Sequence, residues 1–151
     1  MKKGFVLACI AAFILLNEDL NHFIVMLVLG DFEVGRAWQR AFGNTSIESM
    51  LFSGGFRLIP FIPLVLCALC TNLLTHLTGK VTLWVGFTAT IAIIFIGYWG
   101  VTEALYTDAH ASSTSAIGYI WAPIAAAAYS LVACIVTYFL LWLFELVLKR
   151  A

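Results

Sequence analysis

The sequence contains little charge and little proline. Lys, Arg, Asp and Glu make up 11% of the 151 residues, and there are three prolines. A soluble domain carries about 25% charged residues, so this chain has too few charged side chains to cover a water-exposed surface. The low charge excludes an ordinary soluble globular protein. The absence of a basic tract argues against a nucleic-acid partner.

The sequence also lacks the motifs of common enzyme classes. It has no phosphate-binding glycine loop, no nucleophile elbow and no metalloprotease helix. Its four cysteines lie in apolar segments rather than in loops, so no extracellular disulfide framework is indicated. We therefore expect no catalytic residues, no bound metal and no cofactor.

Long apolar segments dominate what is present. The chain is 63% hydrophobic, with a mean hydropathy of +1.02. A helix that crosses a bilayer needs about 20 residues, and it satisfies its own backbone hydrogen bonds in lipid. The sequence therefore predicts an all-α integral membrane protein, a four-helix transmembrane bundle in a single domain over residues 1–151. The predicted spans cover residues 4–29, 57–77, 81–101 and 116–148.

The charge distribution predicts the orientation. With the N-terminus inside, five of the eight lysines and arginines lie on the inner side, whereas seven of the eight acidic residues lie toward the outer side. We therefore predict that both termini are inside. The Met-Lys-Lys start indicates a bacterial protein, which would lie in the inner membrane.

The first apolar segment is interrupted by a polar stretch, in which four side chains share one helix face: Asn17, Glu18, Asn21 and His22. Glu18 lies about 22 Å along a helix from Lys3, and an unpaired charge at that depth costs about 1–3 kcal/mol. Arg57, at the start of the second segment, is the candidate partner. The predicted intramembrane polar site consists of Asn17, Glu18, Asp19, Asn21, His22 and Arg57.

An alternative interpretation of the same stretch is structural. The first helix would end near residue 17, and the polar groups would meet headgroups and water. Residues 4–29 would then form a hairpin that enters and leaves on one side, which leaves three spans.

Small residues recur every four positions along the fourth segment. Such a stripe lets two helix backbones approach closely. The neighbouring helix would belong to another protein or to this chain, where Gly86 with Thr90, or Gly97 with Gly100, would receive it. The predicted packing stripe consists of Gly118, Ala122, Ala126, Ser130 and Cys134.

The two outer loops have different characters. In the first, apolar residues at positions 34, 38, 41 and 42 predict a short interfacial helix in the headgroup layer. A capping box at Thr45 predicts a second short helix that stops at Gly54-Gly55. In the second loop, polar side chains would line the opening of a water-filled vestibule on the outer side. This outer acidic group, as it is called here, consists of two acidic residues and a histidine: Glu103, Asp108 and His110.

Three functional hypotheses follow, in this order. The first is a non-enzymatic protein that binds another membrane protein, or a second copy of itself, in the bilayer. It would be an accessory subunit or an immunity or inhibitor protein, since its size and topology are similar to those of immunity proteins of pore-forming bacteriocins. The second is a small ion or solute transporter or channel subunit, with the polar site lining its pathway. The third is a membrane thiol redox enzyme that uses Cys67 and Cys70.

Overall fold

The computed structural model of the protein is all-helical over the residues that it describes, which are 2–43, 46–107 and 117–148. These residues form seven α-helices and a 3-10 turn at Leu73–Thr75, and they contain no strand. The predicted helical class is therefore confirmed for this part of the chain. The helices are α1 (Lys2–Leu15), α2 (Glu18–Val28), α3 (Val34–Phe42), α4 (Ile47–Leu58), α5 (Phe61–Cys70), α6 (Leu77–Thr107) and α7 (Gly118–Leu148).

Two helices, α6 and α7, are each long and apolar enough to cross a membrane. Two further spans result if each bent helix pair counts as one span. The axes of α1 and α2 differ by 57°, and those of α5 and the part of α4 from Met50 onward differ by 50°. The structure thus supports membrane association with two to four candidate spans, rather than four straight ones.

Helices α6 and α7 form an antiparallel hairpin. At one end, the Thr78 hydroxyl donates a hydrogen bond to the Glu145 carboxylate. Toward the other end, the hydroxyls of Thr102 and Tyr119 lie 2.8 Å apart. Contacts between these two helices therefore extend over most of their length.

Helices α1 and α5 pack side by side near the start of α6. The Lys2 ammonium donates to the Leu69 carbonyl over 3.0 Å, and the Phe5 ring meets the Trp84 ring edge-on with centroids 5.3 Å apart. These contacts define one end of the bundle, called here the Lys2 end. The opposite end, which carries α3, is called the α3 end.

The break between α1 and α2 follows from local sequence. The Asn17 side chain accepts a hydrogen bond from the Asp19 backbone N–H over 3.2 Å, and its ψ of 137° is extended. Asn17 is therefore an N-cap that starts a new helix. Glu18 and Asp19 in the first turn of α2 favour this start, because acidic groups stabilise the positive end of a helix dipole.

The break between α4 and α5 differs from the sequence prediction. We expected a short helix that ends at Gly54-Gly55 and a second span that begins at Arg57. The helix instead continues through both glycines to Leu58, and α5 begins after Pro60. Proline has no backbone N–H to continue a helix, whereas glycine only weakens one, so Pro60 sets the boundary.

Helix α3 lies where a short amphipathic helix was predicted in the first loop. Its Ala37 and Ala41 are buried in a small cluster with Met26 of α2. Helix α2 packs against α6 as well as against α3. Helix α4 packs against α5 and α7. The two bent pairs thus rest on different helices of the α6–α7 hairpin at the α3 end.

Candidate functional site

Arg57 is the central residue of the candidate site, and only 7% of its surface is exposed. It lies in the last turn of α4. One terminal nitrogen, Nη1, donates to the Leu16 carbonyl over 3.3 Å. The guanidinium carbon lies 4.8 Å from the centroid of the Phe13 ring. The Arg57 cation therefore joins the end of α4 to the break after α1.

Glu18 supplies the opposite charge. Its carboxylate interacts with the Ser53 side chain and, electrostatically, with Asp19 and Arg57. Glu18 is the first residue of α2, and Ser53 lies one turn before Arg57 on α4. The structure thus brings together the two charged residues that the sequence suggested as partners.

Tyr98 places a third helix at this site. It is 1% exposed, and it interacts electrostatically with Arg57, Glu18 and Tyr119. Its ring lies 5.3 Å from that of Tyr119 on α7, centroid to centroid. Parts of α2, α4, α6 and α7 therefore meet around one buried polar region.

Among the described residues, two buried polar side-chain atoms have no hydrogen-bond partner: Oδ1 of Asn21, which lies on α2 three residues after Glu18, and Nε of Arg57. Asn21 is 5% exposed. A buried acceptor or donor without a partner costs about 1–3 kcal/mol, so such atoms in a native protein point to a bound water, ion or solute. Together they offer one acceptor and one cationic donor. We call Glu18, Asn21, Arg57 and Tyr98 the polar junction.

The polar junction lies well away from the Lys2 end. Thirteen positions separate Phe5 from Glu18 along α1 and α2, and fourteen separate Trp84 from Tyr98 along α6. Each interval corresponds to about 20 Å of helix. In a hydrocarbon layer about 30 Å thick that begins near Lys2, Glu18 lies about 24 Å from that start, so the junction would fall about four fifths of the way across.

The remaining predicted polar residues have other surroundings. Asn17 serves as the N-cap of α2. His22 is half-buried one turn further along and interacts electrostatically with Asp19 and Arg40, so it faces α3 as well as its own helix. The predicted polar site therefore shares Glu18, Asn21 and Arg57 with the junction, and it also includes residues that shape the start of α2.

The sequence interpretation missed Tyr98, Ser53 and the Leu16 carbonyl. One signal in the sequence indicated that Tyr98 is buried. Thr102 lies four positions later on the same helix face, and Thr102 is itself fully buried. Nothing in the sequence indicates that a main-chain carbonyl would bind Arg57, because this depends on the helix break.

The small-residue stripe of α7 packs against α6. A Cβ atom at Gly97 would lie 2.5 Å from the Ala122 Cβ, and one at Gly86 would lie 2.3 Å from the Cys134 Sγ. Ala126 and Ser130 of α7 are also buried. At the start of the stripe, a Cβ atom at Gly118 would lie 2.3 Å from a methyl group of Val101. The close approach that the stripe predicts is therefore made within this chain.

The predicted outer acidic group is only partly described. Glu103 accepts a hydrogen bond from the indole N–H of Trp99 over 3.0 Å. Asp108 and His110 lie outside the described residues. Within the described ranges, no three His, Cys, Asp or Glu side chains are grouped so that they could hold a metal ion.

All four cysteines carry free thiols, and Cys67 and Cys70 are exposed on α5.

No protein-family model, curated protein or solved structure matches this chain. The chemistry of the polar junction is therefore the best guide to function.

Proposed function

We propose that this protein is a subunit of a small ion or solute transporter or channel that binds its ligand at the polar junction. The observation that carries the proposal is the two unpartnered buried atoms, Asn21 Oδ1 and Arg57 Nε, together with the electrostatic interaction between Arg57 and Glu18. Ionisable groups inside a membrane are costly, and they typically mark ion or substrate pathways.

The helix breaks support the same proposal. In many transporters, binding sites lie where helices are interrupted inside the membrane, because the free helix ends supply polar groups. Here the start of α2 contributes Glu18 and the end of α4 contributes Arg57. Both bent pairs reach the junction at their breaks, after residue 15 of α1 and at residue 58 of α4.

The route toward the Lys2 end is closed in this conformation. Between the junction and the Lys2 end, apolar side chains form a continuous core. This core includes Phe5, Cys9, Leu16, Phe61 and Phe87. Passage would therefore require the bent helix pairs to move or several copies to assemble. The two breaks are natural hinges, since a few residues at the ends of elements absorb most of such a change.

Replacing Glu18 with glutamine is expected to abolish ion flux while preserving the fold. The amide keeps the shape of the side chain, but it removes the carboxylate that interacts with Ser53 and, electrostatically, with Arg57. Proton and sodium flux would be measured in proteoliposomes with ion-sensitive dyes. We expect the ion flux of wild-type vesicles to exceed that of empty vesicles. In the variant, we expect this flux to fall at least about tenfold.

The matched control is Glu48→Gln, which removes an exposed acidic residue from the first turn of α4 and should leave flux unchanged. Wild-type flux no faster than that of empty vesicles, or equal flux in wild type and Glu18→Gln, would contradict the proposal.

A second candidate function is binding to another membrane protein or to a second copy, as an accessory subunit or immunity protein. The specific observation is a surface depression of about 650 Å³ along α6, lined by small and apolar residues that include Thr88, Ala89 and Ala92. The stripe on α7 no longer supports this function, because α6 already covers it. A partner that stays bound through purification in mild detergent and is lost in Ala92→Trp would favour this candidate.

A further inference from the structure

A basic groove runs along one side of α3. Its volume is about 410 Å³, and its lining residues are Phe32, Arg36, Gln39, Arg40 and Gly43. Arg36 and Arg40 are one turn apart and therefore neighbours on the helix surface. The two guanidinium groups and the Gln39 amide together offer many hydrogen-bond donors.

Contacts within the chain orient the groove. The guanidinium carbon of Arg40 lies 4.9 Å from the centroid of the Phe32 ring, which holds this side chain along the groove. Arg36 pairs with Glu33 over 3.5 Å, but the two side chains are 78% and 80% exposed. An exposed pair of this kind contributes little, so a stronger anion can compete for Arg36.

The opposite side of α3 is apolar and also exposed. Val34 and Trp38 are 65% and 56% exposed. The Trp38 ring stacks near Phe42, with centroids 4.3 Å apart, and meets Phe23 edge-on at 5.7 Å. A helix with one basic side and an opposite apolar side that carries an exposed tryptophan suits the interface between acyl chains and headgroups.

The depth of α3 agrees with that location. The distance from Lys2 to Asn17 along α1 is about 22 Å. The 11 residues of α2, inclined by 57° to α1, add a rise of about 9 Å. The total of about 31 Å equals the thickness of a hydrocarbon layer. If α1 runs along the membrane normal, α3 therefore lies at the level of the headgroups.

We propose that this groove binds the phosphodiester of an anionic phospholipid in the leaflet at the α3 end. Arg36 and Arg40 bind the phosphate oxygens, because guanidinium groups match phosphate geometry in a bidentate manner. The acyl chains extend past the flank of Val34 and Trp38. A zwitterionic lipid binds less well, because its headgroup cation would meet the two arginines. This inference does not depend on the proposed transport function.

The test is native mass spectrometry of the purified full chain in mild detergent with equal amounts of phosphatidylglycerol and phosphatidylcholine. The wild type should retain one phosphatidylglycerol in preference to phosphatidylcholine. Because each arginine near an anionic lipid contributes about fivefold in affinity, Arg36→Gln/Arg40→Gln should bind phosphatidylglycerol about 25-fold more weakly.

The control variant is Glu33→Gln, which frees Arg36 from its ion pair and should leave lipid binding equal or stronger. Unchanged preference in the double variant would overturn the proposal. Displacement of the lipid by inorganic phosphate at the same concentration would also overturn it, since the groove would then bind a soluble anion rather than a lipid.

Discussion

Replacing Arg57 with methionine is expected to lower the free energy of unfolding by about 3–5 kcal/mol. The substitution removes the donor to the Leu16 carbonyl and the cation that faces Glu18. The half-buried Glu18 carboxylate would be left without that cation, and an uncompensated charge away from water costs more than the original pair gained. Unfolding would be followed by helical circular dichroism during titration of SDS into the protein in mild detergent.

Two further variants distinguish the effect of the lost charge on stability from the effect of replacing arginine with a smaller side chain. Arg36→Met removes an exposed arginine and should change stability by less than about 0.5 kcal/mol. Adding Glu18→Gln to Arg57→Met should recover at least about 1 kcal/mol, because the unpaired charge disappears. Equal stability of the Arg57→Met single and double variants would show that the two residues do not interact.

Replacing Gly97 with alanine is expected to destabilise the α6–α7 hairpin by about 1–3 kcal/mol. The new methyl group would lie 2.5 Å from the Ala122 Cβ, a rigid atom on the facing helix. The two helices would have to separate to relieve this clash. The same SDS titration measures the effect.

Gly100→Ala is the matched control on the same helix. Among the described residues, no heavy atom lies within 4 Å of the position that its Cβ would occupy. Alanine also has a higher helix propensity than glycine, by about 1 kcal/mol, so this variant should be equally stable or more stable. A Gly97→Ala protein as stable as Gly100→Ala would contradict the close packing.

The sequence predicted the helical class and the two long helices well. Apolar length alone identifies α6 and α7, because a span in lipid needs about 20 apolar residues. The bent pairs were harder, since a break depends on local chemistry. The break near Asn17 was visible in the sequence as a polar interruption, whereas the end of α4 was predicted at the two adjacent glycines and instead lies just before Pro60.

The charged part of the site was predictable for an energetic reason. An acidic group in an apolar segment needs a partner, and Arg57 was the nearest candidate at a similar depth. Tyr98 and Ser53 were not foreseen, because their positions depend on how the bent pairs rest on α6 and α7. The stripe of α7 predicted close packing, but the residues of one helix alone do not identify the facing helix.

The most direct test is disulfide crosslinking of Glu18→Cys with Ser53→Cys in membranes washed at alkaline pH, with the four native cysteines replaced. The two native side chains interact with each other, so we expect rapid crosslinking by a mild oxidant within the membrane pellet. The pair Glu18→Cys with Glu48→Cys should crosslink much more slowly. No crosslink between positions 18 and 53, or protein found in the supernatant after the wash, would contradict a polar junction held inside the membrane.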